Sequence, residues 1–137
     1  MASRVEELIR THPGQPPIDT RKLVDIIDRI HECAKACTAC ADACLGEDDP
    51  KAQATCITSC LNCADVCFTT AKALSRVTGF NPETAQVLVA ACEQICRICS
   101  EECERHAAHM EHCRVCADAC RACADACRAF LQEVEAA

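Results

Sequence analysis

Apolar side chains recur along most of this chain at intervals of three and four, with polar and charged residues between them. That is the period of a helix with one buried face. The stretch CAKACTACADAC at 33–44 shows it most sharply: Cys33, Cys37, Cys40 and Cys44 stand four, three and four positions apart. The same spacing returns in Cys56, Cys60, Cys63 and Cys67, and again in Cys92, Cys96, Cys99 and Cys103. A fourth row, Cys116, Cys120, Cys123 and Cys127, repeats it, and Cys113 extends that row by one step. Cys-Ala-Asp-Ala/Val-Cys recurs at 40–44, 63–67, 116–120 and 123–127. The chain therefore repeats one kind of helix, a copy per segment.

Punctuation between the segments sets their bounds. The first long helix is predicted from Asp19 or Thr20 to Leu45, with Gly46 as its stop and GEDDP as a turn. Asp49 and Pro50 read as the cap and first residue of the second helix, which runs to about Val77 ahead of Gly79. Asn81 and Pro82 open the third in the same way, a break falls between His106 and Glu111, and the fourth runs to about Val134. Helices of roughly 25 residues are about 38 Å long. Short connections make neighbours antiparallel, so the expected fold is all-α: an antiparallel up-down-up-down four-helix bundle. SRVEELIRTH, with Ser3 and Glu6 spaced as a capping box, predicts a short extra N-terminal helix that the PGQPP stretch detaches from the bundle. The domain reading is a short helix and Pro-rich linker over 1–18 and a Cys-lined bundle over 19–137.

A 4-3-4 spacing is the inward seam of a bundle, so the thiols of all four helices face one axis. Extending the seams gives Leu23, Ile26 and Ile30 on the first helix and Thr70, Leu74 and Val77 on the second. The third adds Ala85 and Val89, and the fourth Phe130 and Val134. In an antiparallel bundle these stretches meet at one end, a dry plug. The opposite end carries His106, His109, Met110 and His112. The sequence thus predicts a thiol-lined tube sealed at one end, with borderline ligands at its mouth.

Seventeen cysteines in 137 residues, with only three glycines, three Phe and no Trp or Tyr, do not resemble an aromatic-anchored core or a loop-rich disulfide scaffold. The count is odd, the N-terminus lacks an export signal, and a bridge within one helix would be strained. These features predict free thiols in a reducing, cytoplasmic compartment. No apolar run reaches the length of a membrane span. A formal net charge of −7 with no basic stripe argues against nucleic acid as a partner.

Cysteine buries less apolar surface than leucine, so seventeen of them in one seam are poorly explained by packing. Thiolates select Cu(I), Zn(II) and iron–sulfur clusters. Cluster motifs lie on wrapping loops, and structural zinc uses isolated sets of four ligands, often in paired knuckles. A buried Zn(Cys)4 site carries two net negative charges, and no Lys or Arg lies on the seam to offset them. Cu(I) with one thiolate is neutral, and bridging sulfurs let a continuous row hold multiple Cu(I) ions, on the order of one per thiolate, with protons released on loading. Bridged zinc or other soft-metal clusters of metallothionein type are the alternative. The His/Met group suits the point where metal enters. His12 and His31 lie away from the mouth, and Asp42, Asp65, Asp118 and Asp125 lie off the seam. No single cysteine stands out as a low-pKa nucleophile, so the chain is not read as an enzyme. Seventeen ligands also exceed what a carrier of one ion needs.

Four long helices, each carrying Cys-x3-Cys-x2-Cys-x3-Cys, with a His/Met junction before the last, resemble the bacterial copper storage proteins over residues 20–134. The missing export signal resembles their cytosolic branch. The resemblance implies a bundle filled with Cu(I) by all seventeen core cysteines and assembly into a homotetramer. It also implies sequestration of copper against toxicity or for copper enzymes, with copper donor or acceptor proteins as partners. Carried onto this chain, it makes His106, His109, Met110 and His112 the candidates for the mouth.

Overall fold

The computed structural model describes residues 2–136; position 137, the end of the predicted bundle range, lies outside them. A short helix α1 (Arg4–Arg10) precedes four long ones: α2 (Thr20–Leu45), α3 (Ala54–Leu74), α4 (Pro82–Glu104) and α5 (Glu111–Ala136). α2 packs beside α3 and α5, and α4 beside the same two helices. The four therefore close a ring around one axis, each antiparallel to the next, as the short connections require. No helix among the described residues is long and apolar enough to cross a membrane.

Capping chemistry explains most of the bounds. The Asp19 carboxylate accepts the Lys22 amide at 3.2 Å and starts α2. The Asn81 side chain accepts from Glu83 and Thr84 at 2.9 and 3.1 Å and starts α4, with Pro82 at the position that needs no donor. The Ser3 hydroxyl accepts from Glu6 at 3.1 Å and starts α1. α2 stops at Gly46, whose amide donates back to the Asp42 and Ala43 carbonyls.

Three boundaries differ from expectation. Asp49 makes no side-chain cap, and Pro50–Gln53 form a single 3-10 turn ahead of α3. α3 ends at Leu74, not Val77, and the chain turns through Gly79 at φ +67°, a conformation in which a side chain would be strained. Val77 is nevertheless buried, because the turn folds it back over the end of the core. The PGQPP linker also does not free α1. Ile9 is buried in the common core, and His12 Nε2 lies 3.1 Å from the Thr78 hydroxyl.

The core has the predicted polarity. Leu23, Ile26, Ile30, Thr70, Leu74, Val77, Ala85, Val89 and Phe130 are buried at one end, with Val134 packed against them. Thr70 is tolerated there because its hydroxyl donates to the Val66 carbonyl at 2.7 Å. Beside the cysteines, Ala41, Ala64, Ala117 and Ala124, the second residues of the four repeats, are also buried. Small side chains at these positions let the helices approach closely, which short cysteine side chains need in order to meet across the axis.

Candidate metal centre

All seventeen cysteines are buried and none is in a disulfide. Their sulfurs converge on the bundle axis from all four long helices. Cys96 and Cys123 are 3.3 Å apart, Cys37 and Cys120 3.5 Å, Cys60 and Cys103 3.6 Å, and Cys67 and Cys92 3.7 Å. These separations suit sulfurs sharing a proton or a metal ion, and far exceed a disulfide bond.

Groups of ligand atoms within 4.8 Å of one another form a ladder. Cys33, Cys63, Cys67 and Cys96 overlap with Cys33, Cys37, Cys63 and Cys120. The next group, Cys37, Cys99, Cys116 and Cys120, shares two members with that one. Cys116 also belongs to the group Cys40, Cys60, Cys103 and Cys116, and Cys40 to a further one, Cys40, Cys44, His112 and Cys113. Each sulfur at a junction serves two groups, which is the arrangement bridging thiolates require. Cys56 joins through Cys103 at 4.0 Å, while Cys92 and Cys127 lie toward the plug.

The electrostatics favour a cargo that neutralises thiolate. No lysine or arginine is buried among the described residues; the only buried charged side chains are Glu93 and Glu102. Burial, foremost, pushes the Cys44 thiol up to about 12 and raises Cys113 as well, so these hold their protons until something displaces them. Deeper in, neighbouring S–H groups steady particular thiolates. Cys63 is drawn down to about 7, by Cys120 foremost, and Cys116 to about 6, by Cys103 foremost, while Cys120 and Cys103 are pushed up in return.

The four predicted mouth residues are placed unequally. His112 reaches the ladder: its Nδ1 lies 3.5 Å from Cys40 Sγ and 3.6 Å from Cys113 Sγ. Its Nε2 lies 3.0 Å from Glu47 Oε1. Burial disfavours its charged form, but the hydrogen bonds to Cys40 and Glu47 outweigh this and raise its pKa. Met110 is buried at the start of α5, where its carbonyl accepts the Cys113 amide. His106 is half-buried, with Nε2 3.1 Å from Glu102 Oε2. His109 is exposed, and its ring touches no member of the ladder among the described contacts. Asp42, Asp65, Asp118 and Asp125 are exposed, as is His31, which stacks edge-on against Phe68 at 5.5 Å.

Sequence reasoning missed Glu47 and Glu102, the carboxylates that hold His112 and His106. Glu102 carried a signal, since it precedes His106 by one helical turn. Glu47 carried none, because its partner is 65 residues away.

Comparisons with known proteins converge. A profile described as copper storage protein matches residues 19–132. The copper storage protein of Streptomyces lividans, solved with 10 copper equivalents, is 44% identical, with a TM-score of 0.90, covering 93% of this chain and 98% of that one. A structure of copper loading to a cytosolic copper storage protein of the same organism, with five coppers, is 46% identical. It has a TM-score of 0.80 and covers 82% of this chain and 93% of that one. The uncharacterised cysteine-rich protein YhjQ of Bacillus subtilis is 36% identical over 91 residues, which are 66% of this chain and 79% of its own.

Proposed function

Because the chain belongs to the copper storage protein family, we propose that it stores many Cu(I) ions on the thiolates of its bundle core. The observation that carries this reading is the ladder of buried, unpaired sulfurs in which neighbouring groups share members. Each arriving Cu(I) displaces a thiol proton and cancels the charge of the thiolate left behind, so the interior stays neutral as it fills. Zinc is disfavoured by the same bookkeeping, since no lysine or arginine among the described residues is buried in the core to balance two excess charges per tetrathiolate.

All seventeen cysteines serve as ligands, and His106, His109, Met110 and His112 as the mouth, with His112 the member in contact with the thiols. The plug of Leu23, Ile30, Leu74 and Val89 leaves the histidine pole as the side of uptake. The protein works in the cytoplasm, as the Streptomyces relative described as cytosolic does, and without a catalytic step. It assembles as a homotetramer, and exchanges copper with donor and acceptor proteins.

Anaerobic titration with Cu(I) against a competing chelator tests the storage role. The expected result is tight binding on the order of one ion per thiolate. Saturation at one or two ions would show a carrier instead.

A further inference from the structure

Resting on the storage reading, we propose that Glu47 is a positioning residue for copper uptake: it fixes the tautomer and aim of His112, so that the lone pair of Nδ1 faces the outermost thiols. Glu47 follows Gly46 in the turn after α2, and His112 is the second residue of α5. The two turns meet at the mouth, and the carboxylate spans them.

A carboxylate only accepts, so the neutral imidazole must donate Nε2–H to Glu47 Oε1. Nδ1 is then the unprotonated nitrogen, 3.5 and 3.6 Å from the Cys40 and Cys113 sulfurs. It can take a soft cation and pass it to those sulfurs. With the proton on Nδ1 instead, an N–H would point at the place the cation must occupy. A carboxylate behind a ligating imidazole also raises the basicity of the nitrogen in front.

Stability does not explain the pair. The Glu47 side chain is 39% and the His112 side chain 27% exposed, and so exposed a contact stabilises a fold little. What it fixes is direction. Glu102 holds Nε2 of His106 in the same manner, so both partly buried mouth histidines have the same nitrogen occupied by a carboxylate.

Two measurements decide the matter. In metal-free protein, at a pH where the imidazole is neutral, 15N–1H correlation spectra should place the His112 proton on Nε2. In the Glu47→Leu variant the proton should divide between both nitrogens. Uptake of Cu(I) from a chelator should slow by about tenfold or more in Glu47→Leu, with the helical circular dichroism and the final capacity kept. Glu47→Leu should add nothing in a His112→Ala background. Retention of the Nε2–H tautomer in Glu47→Leu, unchanged uptake, or the same slowing with His112 absent would each overturn the proposal. The last would show a carboxylate attracting cations directly. Failure of the wild-type protein to take up many ions would instead count against storage, and the spectra would still decide the positioning role.

Discussion

A cysteine side chain is short, and where burial dominates, as at Cys44 and Cys113, its thiol gives up a proton reluctantly. Both properties govern this interior. Cys44 is pushed from the ordinary 9.0 up to about 12 by burial, foremost. A thiol whose pKa is raised by folding stabilises the fold fully below its unfolded value, and that contribution disappears as pH climbs through the folded value. The metal-free protein should therefore lose stability between about pH 9 and pH 12, measurable as a falling denaturation midpoint. Copper-loaded protein, with its thiolates already neutralised, should show much less of this loss. The mouth residues divide at the same scale. His112→Ala should slow copper uptake markedly and His109→Ala much less, since the His109 ring is exposed and only His112 hydrogen-bonds to the thiols. Equal effects of the two would contradict the placement of the mouth.

At the scale of elements, the helices are held by different means along their length. At the closed end, ordinary hydrocarbon packing dominates. Leu23 is fully buried there, so Leu23→Ala should cost about 3 kcal/mol in chemical denaturation. Midway along, α4 and α5 share a charge clip: the Glu93 carboxylate meets Arg97 of its own helix at 2.8 Å and Arg128 of α5 at 3.2 Å. The carboxylate is nearly buried and the guanidinium groups are half exposed. Removing Glu93 frees two solvated arginines and should cost only about 1 kcal/mol. Replacing Arg97 and Arg128 together strands a buried carboxylate and should cost more, about 3 kcal/mol. A reversed order would contradict the clip.

The elements also show what the sequence could and could not convey. Periodicity named the thiol seam and the plug residue by residue, because a residue's helical phase decides burial wherever the helix is regular. It failed where the chain leaves the helix. Pro50 reads as a helix start, yet its segment winds into a 3-10 turn, and Val77 keeps the seam's burial although α3 has already ended. Glu47 was illegible for the same reason: its contact with His112 depends on how two turns cross at the mouth, which no spacing encodes.

Across the whole molecule, the plug and the alanine-lined helix contacts give the bundle a core that does not depend on metal. Metal-free protein should therefore be strongly helical, and copper should raise its thermal midpoint by mass action rather than create the fold. A metal-free chain with little helical circular dichroism would contradict this. If the protein stores Cu(I) on its core thiolates, the soft cations must occupy the shared sulfur axis. The most direct test is anomalous diffraction at the copper edge from crystals loaded anaerobically with Cu(I). The expected result is a row of copper peaks between the four long helices, each within bonding distance of sulfurs from the ladder and running from the His112 pole toward the Ile30 plug. Copper confined to surface carboxylates and histidines, with the sulfur axis empty, would contradict it.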